Sequence, residues 1–267
     1  MSDKLRLDKA VAEQYHITRH QAAMLIREGK VYVNGAVETK AATAVSAEDA
    51  IETVPSKYVC RAAKKLLHAL EVFDIQVDGL ICTDIGASTG GFTQVLLEKG
   101  ASFVYAVDVG HGQLHPLLQN DARVKNMEGV NARGLVKNDV DRSVDFVCCD
   151  ASFISLTLLL ETIYNILSSQ GKAVLLIKPQ FEAGPDALSA KGVVRSWKVH
   201  EKVIQTVMEK ATEVLFSVRG LCVSPVVGEA GNIEYLLYLQ KNAASSALPD
   251  VAAVVKSAEE YRKGKPI

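Results

Sequence analysis

From Arg61 to about Gln240 the chain alternates short, almost wholly apolar runs with longer stretches of helical periodicity, and this alternation constrains the fold most. Strands are expected at 80–85, 103–109, 124–127, 144–149, 173–177, 216–223 and 234–239, with helical patterns at 61–73, 91–98, 156–167 and 197–215. Runs such as Val144-Asp-Phe-Val-Cys-Cys149 are apolar on both faces, as happens when helices cover a sheet from both sides. The pattern predicts an open, doubly wound α/β sheet, with the last two strands close enough to form an antiparallel pair at one edge.

The first sixty residues follow a different grammar. Helices are expected from Leu5 to Glu13 and from Thr18 to Glu28, the second with Thr18 as N-cap and Gly29 as its stop. Val31-Tyr-Val-Asn34-Gly35-Ala-Val37 reads as a hairpin around Asn-Gly, and a further strand is expected at 50–54. Pro55 interrupts. The expected layout is a small N-terminal α+β module at 1–55, a linker at 56–60, an α/β domain at 61–242 and a helical extension at 243–267.

Composition excludes several classes. Thirty basic residues against thirty-one acidic leave a net charge of -1, so any nucleic-acid binding has to come from a local patch. Cys60, Cys82, Cys148, Cys149 and Cys222 are odd in number and form no C-x-x-C pair, which argues for reduced thiols in a cytoplasmic setting. The opening Met1-Ser-Asp-Lys-Leu-Arg6 has no apolar run behind it, so no secretory signal is expected. No apolar run approaches the ~18 residues of a membrane span. His16/His20 and His111/His115 have helical ligand spacing but no third ligand close in sequence, and no metal is expected.

The strongest local motif is Asp84-Ile-Gly86-Ala87-Ser88-Thr89-Gly90-Gly91-Phe92, in which a strand ends in a glycine-rich turn and opens a helix. Such a turn lets a ligand approach the backbone, and the helix start offers free N–H groups. The glycine spacing is not G-x-G-x-x-G and no phosphate-loop lysine follows, so nicotinamide and nucleotide readings weaken. Asp108 and Val109 close the next strand, where an acidic side chain reaches a ribose diol in open α/β sheets.

These residues resemble motif I of the FtsJ-like 2′-O-ribose methyltransferases, and the N-terminal pattern Arg6-Leu-Asp8, Thr18-Arg19-x-x-Ala22, Gly29-x-Val31-x-Val33-Asn34-Gly35 is similar to an S4 RNA-binding domain. That combination resembles the TlyA family, often labelled hemolysin A. The resemblance implies a Rossmann-like, seven-stranded, mostly parallel methyltransferase domain using S-adenosylmethionine. It also implies a Lys-Asp-Lys-Glu tetrad. Lys65 is expected from Arg61-Ala-Ala-Lys-Lys65-Leu66, which has Ala62 where the family has glycine. Asp150 comes from Asp150-Ala-Ser-Phe153, Lys178 from Lys178-Pro-Gln-Phe-Glu182, and Glu234 from Asn232-Ile-Glu234-Tyr235. Lys178 is expected as general base or hydroxyl orienter, with Lys65 as a neighbouring cation. Asp150 is expected to hold Lys178 and the hydroxyl in line, and Glu234 to orient one lysine.

Asn131 is expected near the adenine, by analogy with the family's turn after the third strand. Arg6, Arg19, Arg27 and Lys30 offer a phosphate-reading surface, with Lys40 beyond the hairpin. No aromatic row suited to stacking single-stranded bases is evident. The polar stretch 184–196, with Lys191 and Arg195, reads equally as a substrate lid or a plain loop. The implied partner is ribosomal RNA in assembled subunits, with cytidine ribose as target. A non-catalytic RNA-binding factor is the alternative, followed by the membrane-active role suggested by the hemolysin label.

Overall fold

The computed structural model describes residues 4–15, 17–54, 57–228, 230–244 and 247–264. The interruption expected at Pro55, the start of the expected linker and the His16 member of the first histidine pair lie outside them. The N-terminal part contains β1 (Leu5–Arg6), α1 (Leu7–Tyr15), α2 (Arg19–Arg27), β2 (Val31–Val33), β3 (Ala36–Val37), β4 (Ala44–Val45) and β5 (Ile51–Thr53). Helix α2 starts in a reciprocal capping box: Gln21 N–H donates to Thr18 Oγ1 and Thr18 N–H donates to Gln21 Oε1. It stops where Gly29 turns left-handed at φ 68° and Lys30 N–H reaches back to the Leu25 carbonyl. Asn34 and Gly35 both take positive φ, as a two-residue type I′ hairpin turn requires. The helix expected to begin at Leu5 begins instead at Leu7, because Leu5 and Arg6 pair with Val45 and Ala44.

The remainder contains α3 (Ala63–Val72), β6 (Ile81–Ile85), α4 (Gly91–Glu98), β7 (Phe103–Asp108), α5 (Pro116–Gln119), β8 (Val124–Glu128), β9 (Val144–Cys149), α6 (Leu160–Ile166), β10 (Leu167–Ile177), α7 (Pro179–Glu182), α8 (Trp197–Glu213), β11 (Phe216–Val223), β12 (Tyr235–Lys241) and α9 (Val251–Arg262). One sheet joins seven of these strands in the order β11-β12-β10-β9-β6-β7-β8. The five strands from β10 to β8 are parallel, whereas β12 runs antiparallel to both β10 and β11. The expected antiparallel edge pair is therefore present, with β12 on its inner side.

Successive strand residues point to opposite faces, so the apolar runs feed two helix layers. Phe146 and Cys148 pack with Leu66 and Leu96 of α3 and α4. Val147 and Cys149 pack with Ile204 and Val207 of α8 and with Leu160 of α6. Adjacent Cys148 and Cys149 thus serve opposite cores, and all five cysteines are free. The expected helix at 156–167 is broken into a 3₁₀ turn and the short α6, and the expected strand at 173–177 starts early because Leu167 already pairs with Val144.

The chain leaves β6 toward β7 and β8, then returns to place β9 on the other side of β6. That reversal opens a crevice beyond the carboxyl ends of β6 and β9, the usual ligand position in an open α/β sheet. Gly86 sits there with φ 80°, and a Cβ on it would stand 2.9 Å from the Ala151 backbone nitrogen. Two loops approach too closely for any side chain. Gly86→Ala is expected to destabilise the fold by about 1–3 kcal/mol from left-handed strain and backbone contact together. Chemical denaturation of the variant beside the wild type measures the loss.

Candidate active site

Four side chains from four separate elements converge on this crevice. Lys65 projects from α3, which begins through turn bonds at Cys60 to Ala62 with Ala62 itself already helical, so alanine is no obstacle at that position. Lys65 is 7% exposed, Lys178 6% and Glu234 3%, whereas the adjacent Lys64 is exposed, so of the two neighbouring lysines it is Lys65 that turns into the crevice. Asp150 follows β9 and Lys178 follows β10. Glu234 immediately precedes β12, and because β12 is antiparallel its start lies beside the end of β10, at the Ile177–Tyr235 pair.

Lys65 Nζ donates to Glu234 Oε2 at 2.8 Å and to Asp150 Oδ2 at 3.2 Å. Lys178 Nζ lies 2.6 Å from Asp150 Oδ1 and donates to Ser152 Oγ at 2.8 Å and to the Asp150 carbonyl at 3.1 Å. Asp150 therefore bridges both lysines, and Lys65 is more than the neighbouring cation the motif suggests. Burial pushes the Asp150 carboxyl up, but the two ammonium groups outweigh it and hold it below its ordinary value. Burial likewise pushes Lys65 down, and the Asp150 and Glu234 carboxylates overcome it, leaving Lys65 raised. Two cations and two anions sum to zero, which is what permits their burial. Asp150 caps no helix; Ser155 caps the following 3₁₀ turn.

The crevice widens into a cleft of about 670 Å³ that runs along the carboxyl edge of the sheet. Asp84, Gly86, Ala87, Ser88, Thr89, Gly91, Phe92, Asp108, Val109, Asn131 and Asp150 line it. Gly90 is placed differently: at φ 93° it faces Leu114 and Leu118, and a Cβ there would overlap both. Asp108 accepts Ser88 N–H and Gly110 N–H, each at 2.8 Å, tying the glycine turn to the next loop. Ser88 holds φ 47°, a left-handed conformation uncommon outside glycine. Asn131 accepts Arg133 N–H at 3.0 Å, so it also forms a local turn. Of the first-turn donors expected to be free on α4, Thr93 N–H is already taken by Asp84 at 2.9 Å.

Asp84 is 1% exposed, and burial pushes its carboxyl up to about 7 even though Thr93 donates twice to it. Sequence motifs overlooked Ser152 as a partner of Lys178, Gln113, whose side chain lies against Gly110 and Ser88, and Asn232 beside the tetrad. They also overlooked Phe153, which is 90% exposed at φ 62° with its ring 5.1 Å from Phe181 at the mouth of the cleft. The Asp-x-Ser-Phe motif carried two of these signals.

In the N-terminal part, Arg6 and Arg19 come together on Asp8, at 2.8 and 3.1 Å, and remain half exposed. The Arg6 bond above all holds Asp8 down at about 2. Arg27 is exposed and lies away from them on α2, while Lys30 is drawn inward onto Glu28. No group of three or more metal-ligating side chains occurs among the described residues, and His115 caps α5. No described helix is long and apolar enough to cross a membrane.

The titration of Asp84 is testable. Its folded-state value lies above that of an unfolded carboxyl, so its contribution is present at low pH and is lost as pH rises from about 4 through about 7. The stability difference between wild type and Asp84→Asn is expected to shift against the wild type between about pH 5 and about pH 7 and to level off above that. Thermal melts across that range decide it, and a constant difference would mean that Asp84 stays ionised throughout.

Comparison with known proteins agrees with this geometry. A profile for FtsJ-like methyltransferases matches residues 58–241, and one for the S4 domain matches residues 5–51. The chain is 44% identical over 226 residues to the 16S/23S rRNA (cytidine-2′-O)-methyltransferase TlyA of Mycobacterium tuberculosis, covering 84% of each. It is 43% identical to Hemolysin A of Brachyspira hyodysenteriae, over 88% of this chain and 99% of that one. A solved structure from Streptococcus thermophilus, carrying a hemolysin label, superposes with a TM-score of 0.80 at 39% identity, over 99% of this chain and 98% of the other. The crevice at the sheet reversal, the four-charge cluster and these similarities agree, and the chain belongs to the TlyA family of FtsJ-like methyltransferases, with an S4 domain ahead of the catalytic one.

Proposed function

We propose that this methyltransferase modifies the 2′-hydroxyl of a cytidine ribose in ribosomal RNA, with S-adenosylmethionine as methyl donor, working in the cytoplasm where ribosomal subunits are its substrate. The observation that carries the reading is the buried Lys65–Asp150–Lys178–Glu234 cluster opening into a cleft lined by the glycine turn. The cleft suits a nucleoside-bearing cofactor: the glycine turn lines it at Gly86 and Gly91, and Asp108, at the end of the neighbouring strand, lines it as well. Gly86, Ala87, Ser88, Asp108, Val109 and Asn131 would hold it. When bound, S-adenosylmethionine supplies an electrophilic methyl group.

The protein's own part is position and proton handling. Lys178 first gives its ammonium proton to solvent, then presents the free amine to the incoming hydroxyl, in the place now taken by the Ser152 hydroxyl, and receives the hydroxyl proton as the oxygen takes the methyl group. Asp150 balances the resulting ammonium and fixes its direction through Oδ1. Lys65, itself held by Glu234, keeps Asp150 from turning away. Phe153 offers an exposed aromatic face at the mouth, suited to stacking the base of a nucleotide drawn out of its helix. We take residues 1–55 as the RNA-docking module, with Arg6 and Arg19 as its paired phosphate contacts. A non-catalytic RNA-binding role would leave the cost of burying four charges without a return.

The test is transfer of labelled methyl from S-adenosylmethionine to unmodified bacterial 30S and 50S subunits. Wild type is expected to label at least one subunit and to render one linkage resistant to alkali, and Lys178→Ala to lose at least ~100-fold in rate. Cofactor binding without label on either subunit or on free rRNA would refute the reading.

A further inference from the structure

The segment 184–196 is neither an open lid nor a plain loop. Leu188 and Val194 form an antiparallel bridge, Gly192 N–H donates to the Ser189 carbonyl at 2.8 Å, and Gly192 adopts φ 70°. The result is a tight hairpin whose tip is Ala190-Lys191. Two buried side chains pin it. Asn232, 2% exposed, accepts Val194 N–H at 3.0 Å on Oδ1 and donates from Nδ2 to the Gly192 carbonyl at 2.9 Å. His200, fully buried, contacts the Val194 carbonyl through Nε2 at 3.2 Å and the Tyr235 hydroxyl through Nδ1 at 2.8 Å. A carbonyl only accepts, so Nε2 carries the proton and Tyr235 donates to Nδ1.

Asn232 stands two residues before Glu234, on the segment that leads into β12. One short stretch therefore fixes both the tetrad carboxylate and the hairpin. Lys191 lines the same cleft as Lys178, yet it is exposed and has no ion-pair partner among the described residues. Its place is significant. The glycine turn and Asp108 lie at the β6–β7 end of the cleft, whereas Asn232, Glu234 and Lys191 lie at the β10–β12 end. The tetrad between them is neutral in sum and offers a phosphate no net attraction.

We infer that Asn232 is a positioning residue that holds Lys191 at the substrate end of the cleft, where its ammonium takes a backbone phosphate of the RNA strand whose ribose enters the site. The inference rests on the methyltransferase reading for its substrate and adds a residue pair that sets how the strand is seated. Asn232 acts through the hairpin, and Lys191 touches the RNA.

The experiment measures binding of full-length protein to 16S and 23S rRNA as a function of salt, with S-adenosylmethionine affinity measured separately by calorimetry. Lys191→Gln, at an exposed tip, is expected to weaken RNA binding about five- to tenfold and to flatten the log–log salt dependence by roughly 0.7–0.9, the signature of one lost phosphate contact. Asn232→Ala is expected to flatten it equally, and the double variant to lose less than about twofold more than either single variant. Cofactor affinity is expected to stay within about twofold throughout. An unchanged salt slope in Lys191→Gln overturns the inference by itself, whatever Asn232→Ala does to folding. Multiplying losses in the double variant overturn the role of Asn232. Salt-dependent RNA binding by a wild type that transfers no methyl would sink the functional reading while leaving this one decided by the slopes.

Discussion

Two lysines and two carboxylates buried together at the carboxyl edge of the sheet set the terms for the rest of the molecule. An isolated ammonium in that position would be costly, and removing one partner from a buried pair commonly costs about 3–5 kcal/mol. The cluster is tolerable because its charges cancel and each lysine has more than one acceptor. It also depends on long-range order. α3, the loop after β9, the end of β10 and the start of β12 must all be in register before the charges meet, and the antiparallel course of β12 is what brings Glu234 to the correct edge. Gly86 makes the same demand from the other side, since the glycine turn rests directly on the Asp150–Ala151 backbone.

Much of this was legible in the sequence, and the reasons are local. Apolar runs flanked by turn residues report strands, so β9 and β11 fall where the pattern places them. Thr18, Gly29 and Asn34-Gly35 act on their immediate neighbours and behave as their chemistry requires. Each tetrad member sits in a short motif, so its place could be read without knowing its partners, Lys65 on a helix and Asp150, Lys178 and Glu234 at strand ends. What could not be read depends on distant pairing. Nothing near Leu5 announces Val45 across from it, and nothing in the 168–171 segment announces that β10 has already begun. The basic residues show the same limit: Lys30 looks like Arg6 in sequence, yet it is largely covered where it pairs with Glu28, whereas Arg6 stays half exposed on Asp8. The hairpin at 184–196 reads as a loop because its order comes from Asn232 and His200, beyond its own ends.

The N-terminal part also meets the catalytic cleft. Gln21, already committed to capping α2, donates from Nε2 to the Gln113 carbonyl at 3.0 Å, and Glu28 accepts Arg61 N–H at 3.3 Å. Gln113 belongs to the loop that Asp108 ties to the glycine turn, and His20 and Met24 of α2 line the cleft rim. The surface carrying Arg6 and Arg19 and the glycine-turn end of the cleft are thus joined through one short helix.

The most direct test of the cluster as a unit is a double-variant cycle on Lys65→Met and Glu234→Gln, read by single-turnover methyl transfer to ribosomal subunits. Each single variant is expected to lose at least ~100-fold, and the double variant no more than about tenfold beyond the worse single one, because the second substitution removes a support already lost. Losses that multiply would contradict the account, since they would mean that Lys65 and Glu234 serve the reaction independently of each other.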